Sequence, residues 1–313
     1  MNEIRVFSPA TVANLSCGFD ILGACLDKVG DELVVRKTNK KGIEITKITG
    51  QELSKDITVN VAGVSAMALL RETKVDCGFE IEIHKGVKPG SGIGSSAASA
   101  AGSVFAINQL LGKPYSNKEL IKFAMEGEKA ACGSLIADNV AAALLGGFTF
   151  VKDGLNHDYF KLCTPPELFF TVIHPQIEIK TSDSRAILDK EVSLEKMTEQ
   201  SANIGAFIAG LYTDNYELIA RSMVDSVIEP LRSTLIPKFN DIKEISLLSG
   251  ALACGISGSG PSIFALSKGF STANDIALAM KKVYSKTDLE YDIHISPIND
   301  EGIKIIKVKK YVI

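Results

Sequence analysis

The 313-residue sequence predicts a two-domain protein that mixes strands and helices, as α+β or α/β layers, in each half. Three observations carry that expectation. Apolar residues recur with a period of two in some segments and of 3.6 in others, and the two patterns alternate along the whole chain. One polar, turn-rich stretch, "DGLNHDYFKLCTPPE", interrupts them and ends in Pro165-Pro166, which sets a boundary at about residue 165. A chain of this length makes one large domain or two ordinary ones. The expected halves are residues 1–165 and 166–313.

In the first half, "EIRVFSP" and "DELVVRK" read as strands. "FEIEIHKG" alternates cleanly, with Phe79, Ile81 and Ile83 on one face and Glu80, Glu82 and His84 on the other. A helix follows from about Ser95 to Leu111, closed by Gly112 and Pro114. The next helix opens at Ser116, whose spacing to Glu119 is that of a capping box. A short helix is expected after Asp138. The second half begins with a strand, "LFFTVIHP". Helices are expected at roughly 193–212, 214–226, 238–249 and 272–285, with a strand at "YDIHIS". The tail strand "IKIIKVKKYVI" either rejoins the first half or extends a dimer surface, so a homodimer stays open.

Composition narrows the function classes. Lysines and arginines number 34 against 37 acidic residues, with no basic block, which argues against a nucleic-acid surface. The N-terminal residues lack the pattern of a signal peptide, and no apolar run approaches the ~20 residues needed to span a bilayer. Six scattered cysteines without a C-x-x-C pair read as small buried thiols of a reducing, cytoplasmic protein. The four histidines do not cluster and are assigned to no site.

Two glycine clusters carry the chemistry. In "PGSGIGSSAASA", Gly90, Gly92 and Gly94 let main-chain N–H groups converge, and the helix that follows offers unpaired amides and a partial positive charge. Ser95 and Ser96 add hydroxyls for a phosphate oxygen or a metal. Neither a Walker A loop nor the G-x-G-x-x-G dinucleotide fingerprint fits. The second cluster, Gly255 to Pro261, precedes a strand and is either a sharp turn or a loop packed against the substrate or the first cradle. On the helix after Ser116, Leu120, Ala124 and Glu128 share one face, so Glu128 needs a partner, a metal or a cleft rim, whereas Glu126 faces elsewhere.

The segments "SPATVANLSCGFDILG", "PGSGIGSSAASA" and "GISGSGPSIFAL" resemble, in order, the three motifs of the GHMP small-molecule kinases. The first of them, together with "EKAACGSLIADNVAAALLGG", "TSDSRAIL" and "EPLRSTLIP", is similar to the homoserine kinase branch of that family. The resemblance covers nearly the whole chain. It implies an α+β fold, with an ATP-binding domain like ribosomal protein S5 domain 2, a ferredoxin-like domain, and the active site between them. The implied reaction is transfer of the ATP γ-phosphate to the hydroxyl of L-homoserine, in threonine biosynthesis, with Mg2+. The implied nucleotide-binding residues are Pro89, Gly90, Ser91, Gly92, Ile93, Gly94, Ser95, Ser96, Ala97 and Ala98. Glu128 matches the metal ligand, with Ser95 or Ser96 as the other.

A zwitterionic substrate agrees with the remaining residues. Its carboxylate calls for arginine forks, and Arg185 and Arg232 match those positions. Asp20 matches the ammonium partner, Asn14 and Asn139 match positions near the reacting hydroxyl, and Thr181 matches a further pocket residue. Asp138 stands as a candidate general base, with direct loss of the proton to phosphate as the alternative. Two departures are visible. Ile136 stands where the family usually has histidine, and Pro89 directly precedes Gly90 where many relatives have one more residue between. Competing readings are a GHMP-type kinase of another small alcohol and a metabolite sensor without turnover.

Overall fold

A computed structural model describes residues 2–133 and 136–309, without the side chain of Cys132. Two sequence expectations fall outside those residues: the thiol of Cys132 and the last four residues of the tail strand.

The first half is a sheet backed by helices. Strands β1 (Glu3–Ala13), β2 (Leu22–Thr38) and β3 (Gly42–Thr49) precede helix α1 (Val61–Thr73) and strand β4 (Gly78–His84). Helices α2 (Ser95–Leu110), α3 (Asn117–Cys132) and α4 (Asp138–Leu145) follow, then a hairpin of β5 (Phe148–Asp153) and β6 (Asp158–Lys161). The alternation in β4 is as read: Phe79, Ile81 and Ile83 are buried against the helices. The Ser116 capping box forms, with Glu119 answering from the third position. Sequence patterning reveals no element at residues 42–49 or 61–73, where β3 and α1 lie. Helix α1 is rich in small residues and has no sharply apolar stripe, so periodicity does not reveal it; Asn60 caps it by accepting from Ala62 N at 3.0 Å.

The second half is built on strands β7 (Leu168–Pro175), β8 (Ala253–Ile256), β9 (Ile263–Lys268) and β10 (Tyr291–Pro297). They form an antiparallel sheet in the order β10-β7-β9-β8. In chain order this is 4-1-3-2, the ferredoxin-like arrangement. Helices α5 (Thr181–Ala186), α6 (Leu194–Tyr212), α7 (Tyr216–Ser222), α8 (Glu229–Arg232) and α9 (Phe239–Leu248) fall between its first two strands, and α10 (Phe270–Tyr284) between its last two.

The chain then returns. Strand β11 (Lys304–Lys309) pairs antiparallel with β1 and forms the edge of the first sheet, whose order is β11-β1-β2-β4-β3 with β5 and β6 branching from β2. This answers the question the sequence left open about the tail. A shared apolar cluster joins the halves, with Leu15, Leu22 and Phe148 packed against Phe170, Phe207 and Phe264. The cysteine expectation needs correction. Cys17, Cys25 and Cys254 are buried, but Cys77, in a connection, packs only half-buried against the first core, and Cys163, in another connection, is exposed. No helix among the described residues is long and apolar enough to cross a membrane.

Candidate active site

The first glycine loop is left-handed at each of its glycines, with φ of +69° at Gly90, +82° at Gly92 and +69° at Gly94. Side chains rarely adopt that region. The protein itself also crowds this backbone. A Cβ on Gly92 would sit 2.6 Å from Gly260 O and 2.7 Å from Ser257 O, and one on Gly94 would collide with Thr11 Oγ1. The second glycine cluster is therefore the loop that packs against the first cradle. Ser257 Oγ donates to Gly92 O at 2.8 Å, and Ser262 N donates to Ser91 O at 3.2 Å. The end of β1 pins both loops: Thr11 N donates to Ile93 O at 3.1 Å and Gly258 N to Ala13 O at 3.2 Å.

Helix α2 starts at Ser95, with Gly94 as an N-cap that offers no side chain. Its first intrahelical bond runs from Ala98 N to Gly94 O at 2.9 Å, so the amides of the preceding turn lie outside the helix ladder. These amides give the helix its partial positive end. The two serines differ. Ser95 Oγ donates to Val87 O at 2.8 Å, whereas the Ser96 hydroxyl bonds the carboxylate of Glu128. Ile93, Ala97 and Ala98 are buried among core side chains, so they can offer a ligand only their main chain.

Beneath this turn lies an ion pair that sequence reasoning missed. Lys85 Nζ donates to Asp31 Oδ2 at 2.5 Å, to Ser95 O at 2.8 Å and to Ser99 Oγ at 3.0 Å. Asp31 Oδ1 accepts from Gly86 N at 3.0 Å and Val87 N at 3.2 Å. Burial pulls the Lys85 pKa down, and the adjacent Asp31 opposes it. The pair holds the loop's entry strand to the first turn of α2. A lysine at a strand end reads as solvated, and nothing in the spacing pairs it with a residue 54 positions away.

Two buried acidic groups face the cleft. Glu128 lies below Ser96, on the buried stripe with Leu120 and Ala124, while Glu126 is exposed. Burial pushes the Glu128 carboxyl up to about 7, against the opposing pull of Ser96 and Lys85. Asp138 opens α4 and is 2% exposed. Its carboxyl is also pushed up to about 7, first by burial and then by the negative charge of Asp20. Asn139 donates to Asp138 Oδ1 through its main-chain N at 2.7 Å, and its own Oδ1 accepts from Thr11 Oγ1 at 2.6 Å.

The opposite wall carries the arginines. Arg232, 3% exposed, is fixed by two carbonyls, with Nε donating to Ser184 O at 3.1 Å and Nη1 to Gly258 O at 3.0 Å. Burial and the neighbouring Arg185 charge draw its pKa down to about 10. Arg185 Nη2 donates to both Asp20 oxygens, at 2.7 and 2.8 Å. Asn14 ties the wall to the second glycine loop, since Nδ2 donates to Gly258 O at 2.8 Å and Oδ1 accepts from Asp20 N at 3.0 Å. Thr181 Oγ1 lies 3.5 Å from Ser259 Oγ.

One cleft of about 760 Å³ lies between these walls. Asn14, Asp20, Thr181, Arg185 and Arg232 border it together with Glu128, Asp138, Asn139 and the glycine loop. Ile136 also lines it, so the departure from the family histidine faces the cleft. Leu53, Val59, Val61 and Ile83 give the cleft an apolar stretch, interspersed with Ser54 and Asn60. The cleft thus offers an anion cradle, a buried carboxylate beside a hydroxyl, and a pocket carrying both signs of charge. Glu128 and Ser96 are hard oxygen donors suited to a divalent cation that keeps most of its water. Among the described residues no group of three or more His, Cys, Asp or Glu forms a dedicated metal cage.

Comparison with known proteins gives a consistent picture. Residues 60–147 match the family described as GHMP kinases N terminal domain, and residues 204–286 match GHMP kinases C terminal. Homoserine kinases of Chloroherpeton thalassium and Chlorobium phaeobacteroides are 43% and 40% identical, over 98% of this chain and 100% of theirs. The crystal structure of homoserine kinase from Cytophaga hutchinsonii superposes with a TM-score of 0.94 at 48% identity, covering 98% of both chains. L. major mevalonate kinase shares the fold, with a TM-score of 0.71 at 14% identity.

Proposed function

The chain belongs to the homoserine kinase branch of the GHMP kinases, and from that premise we propose how its cleft performs phosphoryl transfer. The protein is a kinase that uses ATP to phosphorylate the side-chain hydroxyl of L-homoserine, giving O-phospho-L-homoserine. The observation that carries this reading is the joint placement of two arginines and Asp20 across one cleft from the N-terminus of α2. Mevalonate has a carboxylate but no ammonium, and would leave Asp20 without a substrate cation.

The main-chain amides from Gly90 to Ser96 and the open end of α2 take the negative charge of the triphosphate. The apolar stretch of Leu53, Val59, Val61 and Ile83 suits the flat base. Glu128 and Ser96 would hold Mg2+, with Ser95 turned away onto Val87. When bound, the ion supplies positive charge to the phosphate oxygens. Arg185 and Arg232 grip the α-carboxylate, Asp20 takes the ammonium, and Asn14, Asn139 and Thr181 set the hydroxyl's position. Asp138 accepts the hydroxyl proton, a task matched by its pKa of about 7. The product enters threonine biosynthesis, and the setting is cytoplasmic. The boundary at about residue 165 separates the ATP-binding half from the second domain, with β11 completing the first sheet.

Purified protein with Mg-ATP is to release ADP on addition of L-homoserine, and to do so faster than with mevalonate or galactose. Absence of homoserine-dependent ADP from folded protein overturns the assignment, and preference for another alcohol moves it within the family.

A further inference from the structure

The loop between Asn14 and Asp20 supplies two pocket residues and carries Phe19 between them. This loop is stiff. Asn14, Leu15 and Ser16 are consecutively left-handed, with φ of 71°, 47° and 59°, and Asp20 has φ of 62°. Gly18 N donates to Asn14 O at 2.8 Å, Leu22 N to Gly18 O at 2.9 Å, and Gln200 Nε2 holds Cys17 O at 3.0 Å. Leu15 and Cys17 are wholly buried. The Phe19 ring therefore has a fixed mount.

Both guanidinium groups of the substrate wall lie against that ring. Arg185 Cζ is 5.4 Å from its centroid and Arg232 Cζ is 5.0 Å. The two arginines come from different elements, α5 and α8, and repel one another. Arg232 is anchored by carbonyls, but Arg185 is partly exposed and its Nε is buried without a hydrogen-bond partner. An aromatic ring attracts a cation through its quadrupole, where an aliphatic side chain of similar volume does not. One ring shared by two forks fixes the separation between them.

Resting on the homoserine reading above, we propose that Phe19 is a positioning residue that holds Arg185 and Arg232 in register, so that one substrate carboxylate meets both forks. Its effect is confined to ligands that carry the carboxylate. L-Homoserine can be divided into two probes: 4-hydroxybutyrate keeps the carboxylate and lacks the ammonium, and 3-aminopropan-1-ol keeps the ammonium and lacks the carboxylate.

Phe19→Leu, Phe19→Met and Phe19→Tyr are compared with the wild type, using melting curves and binding of a non-hydrolysable ATP analogue to verify folding. Leu and Met are expected to raise the homoserine KM about tenfold with kcat changed much less, the size expected for two cation–π contacts. They should weaken 4-hydroxybutyrate as a competitive ligand to a similar extent and leave 3-aminopropan-1-ol unchanged. Tyr, which keeps the ring, should restore carboxylate affinity. Aliphatic variants that bind homoserine as well as Phe19 does overturn the proposal. So does equal weakening of both probes, or a Tyr variant as impaired as Leu. Failure of the homoserine assignment itself is seen separately, as absence of wild-type turnover.

Discussion

Replacing Glu128 with Gln removes one ionisable group from the cleft, abolishes activity and makes the variant gain stability on wild type as pH rises. The carboxyl moves from an ordinary 4.5 to about 7 in the folded protein, chiefly because it is buried. A group whose pKa is raised on folding stabilises the fold fully below the unfolded value, and that contribution is lost as pH rises through the folded value. Wild type thus loses stability between pH 4.5 and 7 through this residue. Linkage gives a loss of roughly 1 kcal/mol at pH 5.5 and roughly 3 kcal/mol at pH 8, relative to the acid limit. Gln does not titrate, and loss of the Glu128 charge also eases ionisation of Asp138, which widens the gap in the same direction. The stability of Glu128→Gln relative to wild type should therefore rise by about 2 kcal/mol from pH 5.5 to pH 8. Urea unfolding of both proteins at the two pH values, without magnesium or nucleotide, reads that gap directly. Homoserine-dependent ADP release should meanwhile fall to background. A pH-independent difference between the two proteins would refute the argument that burial holds this carboxylate in an unfavourable state.

Asp138→Asn should lower kcat at least about a hundredfold with little change in homoserine KM, the usual scale for loss of a positioned base. Wild-type kcat/KM should rise with pH through about 7, since Asp138 must be ionised to accept a proton; retained turnover in the Asn variant would mean that the hydroxyl proton passes directly to phosphate. Gly94→Ala and Gly112→Ala form a matched pair, because both glycines are left-handed, at φ +69° and +85°, yet only at Gly94 would the new Cβ meet a neighbour. Gly112→Ala should cost about 1 kcal/mol. Gly94→Ala should cost clearly more and also lower activity, because it displaces Thr11 from Asn139. Equal melting shifts for the two variants would show that the contact with Thr11 is unimportant.

Legibility in the sequence followed the range over which each interaction acts. Local rules found what they govern: the strand alternation at Phe79, Ile81 and Ile83, the Ser116 cap, and the stripe that buries Glu128. The motif positions for the substrate and the nucleotide all border one cleft, apart from Ile93, Ala97 and Ala98, which lie in the core. Features missed in the sequence depend on partners distant along the chain. Lys85 has meaning only beside Asp31, and Phe19 only beside Arg185 and Arg232. Helix α1 was missed for a different reason, since its many small residues blur the apolar period that would betray it. The glycine loop is a site of close approach, but what approaches Gly92 is the second glycine loop and what approaches Gly94 is Thr11. Glycine content alone cannot distinguish a ligand from another stretch of backbone.

The charge pattern of the cleft explains why the backbone matters so much here. Lys85, the cation buried next to the first turn of α2, is bonded to Asp31, and Arg185 is bonded to Asp20. Glu128 and Asp138 add negative charge on the same side as the proposed triphosphate site, and their raised pKa values record the cost of that arrangement. Side chains therefore contribute little net positive charge where the phosphates are to lie. Peptide dipoles must supply it, which requires N–H groups free of helix bonds and a backbone bare of Cβ atoms. Such a backbone is floppy unless something clamps it. The bonds from Ser257 and Ser262 of the second glycine loop and from Thr11 of β1 supply the clamp from two segments remote in sequence. The second glycine loop, which also anchors Asn14 and Arg232 through Gly258 O, thereby fixes the donor site and the acceptor site to one another.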